Sequence, residues 1–316
     1  MDDSSTDMMH QYALSDLMGS SETGEVYKAW DTTMERVVAL RIISQELSDN
    51  KIFRSQLMPA LRQLSHMGHQ NIGVVFGASR VDHKLIVMSE FIPGKPLTEF
   101  ITDKPLGVKP FLDLAIQITE GLNHAHLNRV MHGNLRPSNI IITEDSTIKL
   151  VDFGLSLHNI KNDSSDLETS LRKAAYQSPE HITGEEITPL CDLFSLGSIF
   201  WELLTGKQLF TGDSVRAVED AVLKFQPDFK MLQKEYFLEG DIILLLKKLL
   251  AKNPSDRFQS TNELLITLKA MRTFEVESRT REFFQVRPQT PRQYMMLSIL
   301  AALMIIFWLV ITTVQK

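Results

Sequence analysis

The periodicity of the apolar residues changes once along this chain, and that change limits the folds open to it. From Tyr12 to Ile43 short apolar runs alternate with turn residues. Tyr27-Lys-Ala-Trp30 is followed by Arg36-Val-Val-Ala-Leu-Arg-Ile-Ile43, which is β-branched and bounded by polar turns, as strands are. Ile72 to Phe76 and Lys84 to Met88 read as two more strands. Between the two groups Phe53, Leu57, Ala60, Leu61, Leu64 and Met67 recur at three- and four-residue steps and predict one helix. Beyond them helices take over: Phe111, Leu114, Ala115, Ile118, Leu122 and Ala125 keep one face, and Asp192 to Leu204 and Ile242 to Leu250 are apolar enough for buried helices. Strands first and helices afterwards predict an α+β architecture of two lobes. With 316 residues, 43% of them apolar, the chain has the length and the core for it.

The charge balance excludes some partners. A net charge of −6, with no Lys/Arg run in the body of the chain, argues against nucleic acid, whose phosphates need a basic patch. The single cysteine, Cys191, cannot form an internal disulfide and offers no metal-ligand spacing. The first thirty residues are acidic and polar, so no secretory signal is expected, and the body is expected in a reducing cytoplasm. From Met295 to Val314 there is no charge at all. As a helix rising ~1.5 Å per residue, that run spans the ~30 Å hydrocarbon core of a bilayer, and a buried core helix rarely lacks a polar face for so long. Arg279, Arg281, Arg287 and Arg292 precede it and only Lys316 follows, which predicts a cytoplasmic N-terminal part. Tyr294 suits the membrane interface, and Pro288 and Pro291 suit a linker. The expected organisation is a tail over 1–9, a domain over 10–270, a juxtamembrane linker over 271–293 and a transmembrane helix over 294–314.

The motifs come in a fixed order. Gly19-Ser-Ser-Glu-Thr-Gly24-Glu-Val26, between two predicted strands, lets backbone N–H groups approach phosphates. Val38-Ala39-Leu40-Arg41 follows on a strand. Residues 132 to 139 read His-Gly-Asn-Leu-Arg-Pro-Ser-Asn, and Val-Asp-Phe-Gly occupies 151 to 154. Then come Ser178-Pro-Glu180, Asp192-Leu-Phe-Ser-Leu-Gly197 and Asn253-Pro-Ser-Asp-Arg257. Together they resemble the bacterial, eukaryotic-like (Hanks-type) Ser/Thr protein kinases over about residues 10 to 270. The resemblance implies the two-lobed protein kinase fold, with ATP and Mg²⁺ as ligands. It puts Gly19, Gly24 and Arg41 at the phosphates, Val26, Ala39 and Ile141 around the adenine, the Glu90 to Ile92 backbone on the adenine edge, and Asn139 and Asp152 on the metal. It also implies that Asp192 fixes the catalytic-loop backbone, that Glu180 pairs with Arg257, and that Leu64, His132 and Phe153 stack between the lobes.

Several positions depart from that family's pattern. In H-R-D-L-x-x-x-N the aspartate accepts the proton of the substrate hydroxyl, and here Asn134, an amide, stands in its place. Gly133 replaces the arginine that receives an activation-loop phosphate, and Arg136 the lysine that contacts the transferred group. Ser21 replaces the second loop glycine and stiffens the loop. Arg41 replaces the phosphate-binding lysine, keeping charge but not shape. Counting back nine residues from His69 puts Ala60 where the lysine's partner glutamate belongs, with Gln56 as a neutral substitute. Lys173 replaces a threonine that bonds the catalytic aspartate. The expectation is a degenerate, pseudokinase-like member, anchored in a membrane, signalling through protein partners and open to Mg-ATP. An active atypical Ser/Thr kinase and an adaptor without nucleotide are the alternatives. His124 and His126, two apart on a helix, are expected to point apart and be structural. Ser164, Ser165, Thr169 and Ser170 are expected in a mobile polar loop.

Overall fold

The computed structural model describes residues 11–285 except 22, 103 and 155–166, with side chains described as far as 275. The expected tail over 1–9, the uncharged run over 294–314, Ser164 and Ser165 lie outside the described residues. Among the described residues no helix is long and apolar enough to cross a membrane. The chain divides into two units, Met1–Met271 and Arg272–Lys316, and the architecture below is that of the first.

The N-terminal lobe is an antiparallel sheet of five strands: β1 (Tyr12–Ser21), β2 (Gly24–Asp31), β3 (Arg36–Ile43), β4 (Val75–Val81) and β5 (Lys84–Glu90), in the order β1-β2-β3-β5-β4. Successive side chains of a strand alternate between faces. Leu85 and Val87 therefore join the main core, while Ile86 packs with Ala29, Val38, Leu40 and Val81 on the other face. After β3 come α1 (Gln45–Asp49) and α2 (Lys51–Leu64). Asn50 caps α2, its side chain accepting from the N–H groups of Ile52 and Phe53, each at 3.0 Å. The predicted helix extends to Met67, whereas α2 ends at Leu64; Met67 is buried without being helical.

The strand expected over Ile72 to Phe76 starts only at Val75. The reason lies in the other lobe. Gly73 N–H donates to Leu150 O at 2.8 Å, Leu150 N–H donates to Asn71 O at 2.9 Å, and Ile72 makes a parallel bridge to Leu150. That backbone is spent on joining the lobes and is not free to extend β4.

The C-terminal lobe is built on α3 (Val108–Leu127), α4 (Leu167–Ala174), α5 (Pro179–Thr183), α6 (Pro189–Thr205), α7 (Val215–Lys224), α8 (Phe229–Glu235), α9 (Gly240–Leu249) and α10 (Thr261–Gln285). A small sheet of β6 (Gly94–Pro96), β7 (Ile140–Thr143) and β8 (Ile148–Leu150) lies at its entrance, too short to register as periodicity. In α6 nearly every residue from Cys191 to Thr205 is buried, as a helix apolar on all sides must be.

One ion pair fixes the lower lobe. Arg257 is fully buried and meets Glu180 at 2.8 Å, and its guanidinium also donates to the carbonyls of Leu190, Ala251 and Lys252 at 2.8–2.9 Å. Burial lowers the Arg257 pKa and Glu180 opposes that shift. Removing one partner of such a pair strands a charge in the core. Glu180→Ala should therefore cost about 3–5 kcal/mol in urea unfolding, and a loss below about 1 kcal/mol would show that the carbonyls alone satisfy Arg257.

Candidate functional site

Asp192, in the first turn of α6, is 1% exposed and organises the loop that precedes β7. Its carboxylate accepts the N–H groups of His132 and Gly133, each at 2.8 Å, and bonds His126 Nε2 at 2.8 Å. Burial pushes its pKa up, but the His126 bond, the nearby imidazoles and the Gly133 N–H outweigh burial and leave it below the ordinary value. The role implied for Asp192 is thus seen in its hydrogen bonds. His126 also meets Thr261 Oγ1 at 2.6 Å, while His124 stacks on His69 at 4.8 Å, so the two histidines do serve separate neighbours.

From the loop the order passes to residues 151–154. The His132 ring lies against Phe153 with centroids 4.4 Å apart, and His132 O accepts Gly154 N–H at 3.1 Å. Leu64, His132 and Phe153 are all buried. Asp152 has φ 63°, a left-handed conformation uncommon outside glycine. Gly154 has φ 72°, and a Cβ there would come within 3.1 Å of Ala60 Cβ, so Ala60 sits directly against this turn. Asn139 is close by. Its Nδ2 donates to Asn134 O at 2.7 Å, its Oδ1 accepts from Ser138 Oγ at 3.4 Å, and its carbonyl accepts Val151 N–H at 3.0 Å.

Arg41 closes the site from above. Its Nη2 donates to Asp152 Oδ2, and its Nη1 donates to Thr23 Oγ1 at 3.0 Å and to Ser21 Oγ at 3.4 Å. The two hydroxyls are themselves 2.8 Å apart. The expected partner Gln56 is not the one found: a carboxylate within reach forms a charge-assisted bond that an amide cannot match. Thr23 carried no signal in the sequence, being one polar residue in a turn.

A cleft lies beneath this cap. Of the residues assigned to ligand or metal, Val26, Arg41, Glu90, Ile92 and Asp152 line it, whereas Gly19, Gly24, Ala39, Ile141 and Asn139 are not among its walls. Gly19 and Gly24 flank the β1–β2 hairpin, where Gly19 pairs with Val26 and Ser21 with Gly24. Gly24 has φ 133° and a Cβ there would lie 2.0 Å from Ile42 O, so strand packing alone demands glycine. Ala39 lies opposite Ser89 on the neighbouring strand, and Ile141 is on β7. The Glu90 N–H is spent on Val74 O at 2.8 Å, and its carboxylate pairs with Lys149 at 2.7 Å. Leu64 and Phe153 of the expected stack also line it, and Leu61, Gly73, Val75, Val87, Ser89 and Val151 complete the walls. Thr169 and Ser170, expected in a mobile loop, lie on α4, where Glu168 and Arg172 pair one turn apart at 2.9 Å. Lys173 is on the same helix.

Burial lowers the pKa of His132, with Asp192 and Asp152 opposing, and burial beside His124 lowers that of His69. Both rings take a proton more readily in the unfolded chain, so stability is fully present above pH ~6.5 and is lost as pH falls below it. His132→Phe keeps a ring on Phe153 and removes one titration. It should flatten the fall of the urea midpoint between about pH 7 and pH 5; an unchanged slope would mean that His132 titrates normally in the fold.

The comparisons agree with this geometry. The profile of the protein kinase domain matches residues 12–267. Serine/threonine-protein kinase PknD of Mycobacterium tuberculosis is 30% identical over 256 residues, covering 81% of this chain and 39% of its own length. PknB of Mycobacterium leprae is 26% identical over 261 residues, covering 80% of this chain and 42% of its own. The chain thus spans about two fifths of the length of these curated relatives. The crystal structure of the Mycobacterium tuberculosis PknI kinase domain superposes with a TM-score of 0.66 at 21% identity, covering 82% of this chain and 96% of that domain, a likeness of fold. The chain belongs to the protein kinase domain family, on the branch of the bacterial Hanks-type Ser/Thr kinases.

Proposed function

We propose that this protein is a membrane-anchored pseudokinase that signals through protein contacts and whose cleft takes a nucleotide. The observation that carries the reading is the pairing of Arg41 with Asp152 beside a loop that has Asn134 in place of a base. A positioned base contributes ~10²–10⁴ in rate, roughly 3–5 kcal/mol, so its loss alone would slow phosphoryl transfer and not abolish it. Here the β3 cation has no carboxylate at Ala60 to hold it, and it has turned to the aspartate that resembles the metal ligand. Positioning and charge stabilisation are most of what a kinase supplies, and both are altered together.

The cleft suits a nucleoside. Val26 and Ile92 are apolar walls, and Ala39 and Ile141 stand on the adjoining strands, with the backbone between Glu90 and Ile92 at the edge. Gly19, Gly24 and Arg41 are the groups for the phosphates. A divalent ion is a poorer fit. Of its two implied ligands, Asn139 keeps Oδ1 near Ser138 Oγ, but Asp152 is already the counter-ion of Arg41. The rival reading, an active atypical Ser/Thr kinase, is favoured by the left-handed turn at Asp152 and the Phe153–His132 stack, which leave the turn assembled.

A radiolabelled-ATP assay separates the two. The unmodified chain and Asn134→Asp should both stay near background, because residues acting as one catalytic unit are strongly non-additive. Asn134→Asp with Arg41→Lys and Ala60→Glu should recover measurable autophosphorylation, since the restored pair frees Asp152 and fixes the phosphates. Robust transfer by the unmodified chain would establish the active reading.

Anchoring rests on the uncharged run over 295–314 and the arginines before it. The full chain should sediment with membranes and resist carbonate extraction, with the kinase domain on the cytoplasmic side. A chain ending at Gln285 should stay in the supernatant; full-length protein found there would refute the anchor.

A further inference from the structure

We infer that the cleft takes a nucleoside di- or triphosphate without a divalent cation, with Arg41 supplying the positive charge that magnesium supplies in the active kinase pattern. The inference rests on reading the cleft as a nucleotide site and adds what that site asks of its ligand.

The first argument is the charge of the site. In the active pattern three carboxylates, the helix glutamate, the catalytic aspartate and the metal aspartate, outnumber the β3 lysine and the catalytic-loop lysine. Such a cleft repels a bare polyphosphate, and metal ions reconcile the two. Here Ala60 and Asn134 replace two of the three with neutral groups, and Asp152 alone faces Arg41. The excess negative charge that calls for a metal is gone. Glu90, the other acid on the cleft wall, is paired with Lys149.

The second argument is geometric. Asp152 Oδ2 accepts from Arg41 Nη2, and these side chains are only 23% and 13% exposed, so a metal approaching Asp152 must first displace a partly buried, charge-assisted bond. Among the described residues no group of three or more His, Cys, Asp or Glu side chains offers a cation another place. For an anion the surroundings are favourable. The planar guanidinium matches phosphate geometry. Its Nη1 lies on Ser21 Oγ and Thr23 Oγ1, two hydroxyls in the hairpin that resembles the phosphate loop, and each can rotate to donate to a phosphate oxygen. Ser21 thus adds a donor where the pattern has a bare glycine. The departures at 21, 41, 60 and 134 all favour a bare anion over a metal complex.

The variants follow from the geometry. Asp152→Asn removes the one opposing charge and releases Arg41, and asparagine tolerates the left-handed φ of that position. If Asp152 holds a metal, the same change weakens binding; if it holds back Arg41, the change strengthens it. Arg41→Met removes the proposed cation.

Isothermal titration of the full chain in detergent, with ATP, ADP and adenosine in turn, in EDTA and in excess MgCl₂, tests the inference. ATP should bind in EDTA within about threefold of its affinity with Mg²⁺. Asp152→Asn should tighten binding in EDTA by about three- to tenfold, and Arg41→Met should weaken it by about tenfold or more, with adenosine unaffected by either. ATP binding that improves about tenfold or more with Mg²⁺, or that is lost in Asp152→Asn while adenosine still binds, overturns the inference and leaves the nucleotide reading standing. Adenosine binding without ATP binding in either buffer has the same meaning. If none of the three binds in either buffer, the nucleotide reading falls and the inference falls with it. A circular dichroism melt of each variant excludes unfolding as the cause of any loss.

Discussion

The arrangement of the cleft depends on a buried carboxylate that touches no ligand. Asp192 takes two backbone N–H groups and one imidazole, and every further step is hung from them. They fix His132, whose ring seats Phe153 and whose carbonyl seats Gly154; those two neighbours place Asp152 in its left-handed turn. A carboxylate carried out of water would cost several kcal/mol if unpaired, and three donors are what offset the cost here. Because backbone donors cannot be substituted away, that geometry survives changes of side chain in the loop it holds. Gly133 and Asn134 could therefore replace charged residues without disturbing the path of the chain.

This separates two kinds of motif residue. Asp192, Glu180, Arg257, His132 and Phe153 are buried and carry the fold, and all keep the identities the family pattern asks for. Ser21, Arg41, Ala60, Gly133 and Asn134 stand where the pattern serves chemistry and depart from it, while Asn139 and Asp152, which serve chemistry too, are kept. Loss of a scaffold group would cost several kcal/mol, a large part of a domain's stability. Loss of a chemical group costs the fold little.

Much of this was legible in the sequence because the fold rests on long periodic segments and on motifs at fixed spacing. The strands from Tyr27 to Ile43 and the helices around Ile118, Leu196 and Leu246 follow from apolar pattern alone. The roles of Asp192 and of the Glu180–Arg257 pair followed from the resemblance. What the sequence did not give were features settled by contacts between distant segments. β4 begins late because residues 71–73 are bonded to Leu150, and no local preference encodes that. Arg41 chose Asp152 over Gln56 because a carboxylate, 111 residues away in the chain, was brought beside it. Thr23 and Ser89 joined the site only through the register of the hairpin and of the β3–β5 pair. Helix α4 was missed since its apolar stripe, Leu167, Leu171 and Ala174, lasts only two turns in an otherwise polar run.

The Arg41–Asp152 bond also changes how the lobes are joined. Arg41 is on β3, in the upper sheet, and Asp152 follows β8, in the lower lobe. The backbone bonds between residues 71–73 and Leu150 already tie the two lobes. The side-chain pair, shielded from most solvent, adds a second tie. Exposed ion pairs contribute about 0–1 kcal/mol, and in a pair with this little exposure the hydroxyl partners help to offset the cost of desolvation. In the active pattern the cation pairs with the helix glutamate and the aspartate holds the metal. Here the bridge is made by the chain itself. The pair thus joins β3 directly to the 151–154 turn through the chain's own side chains.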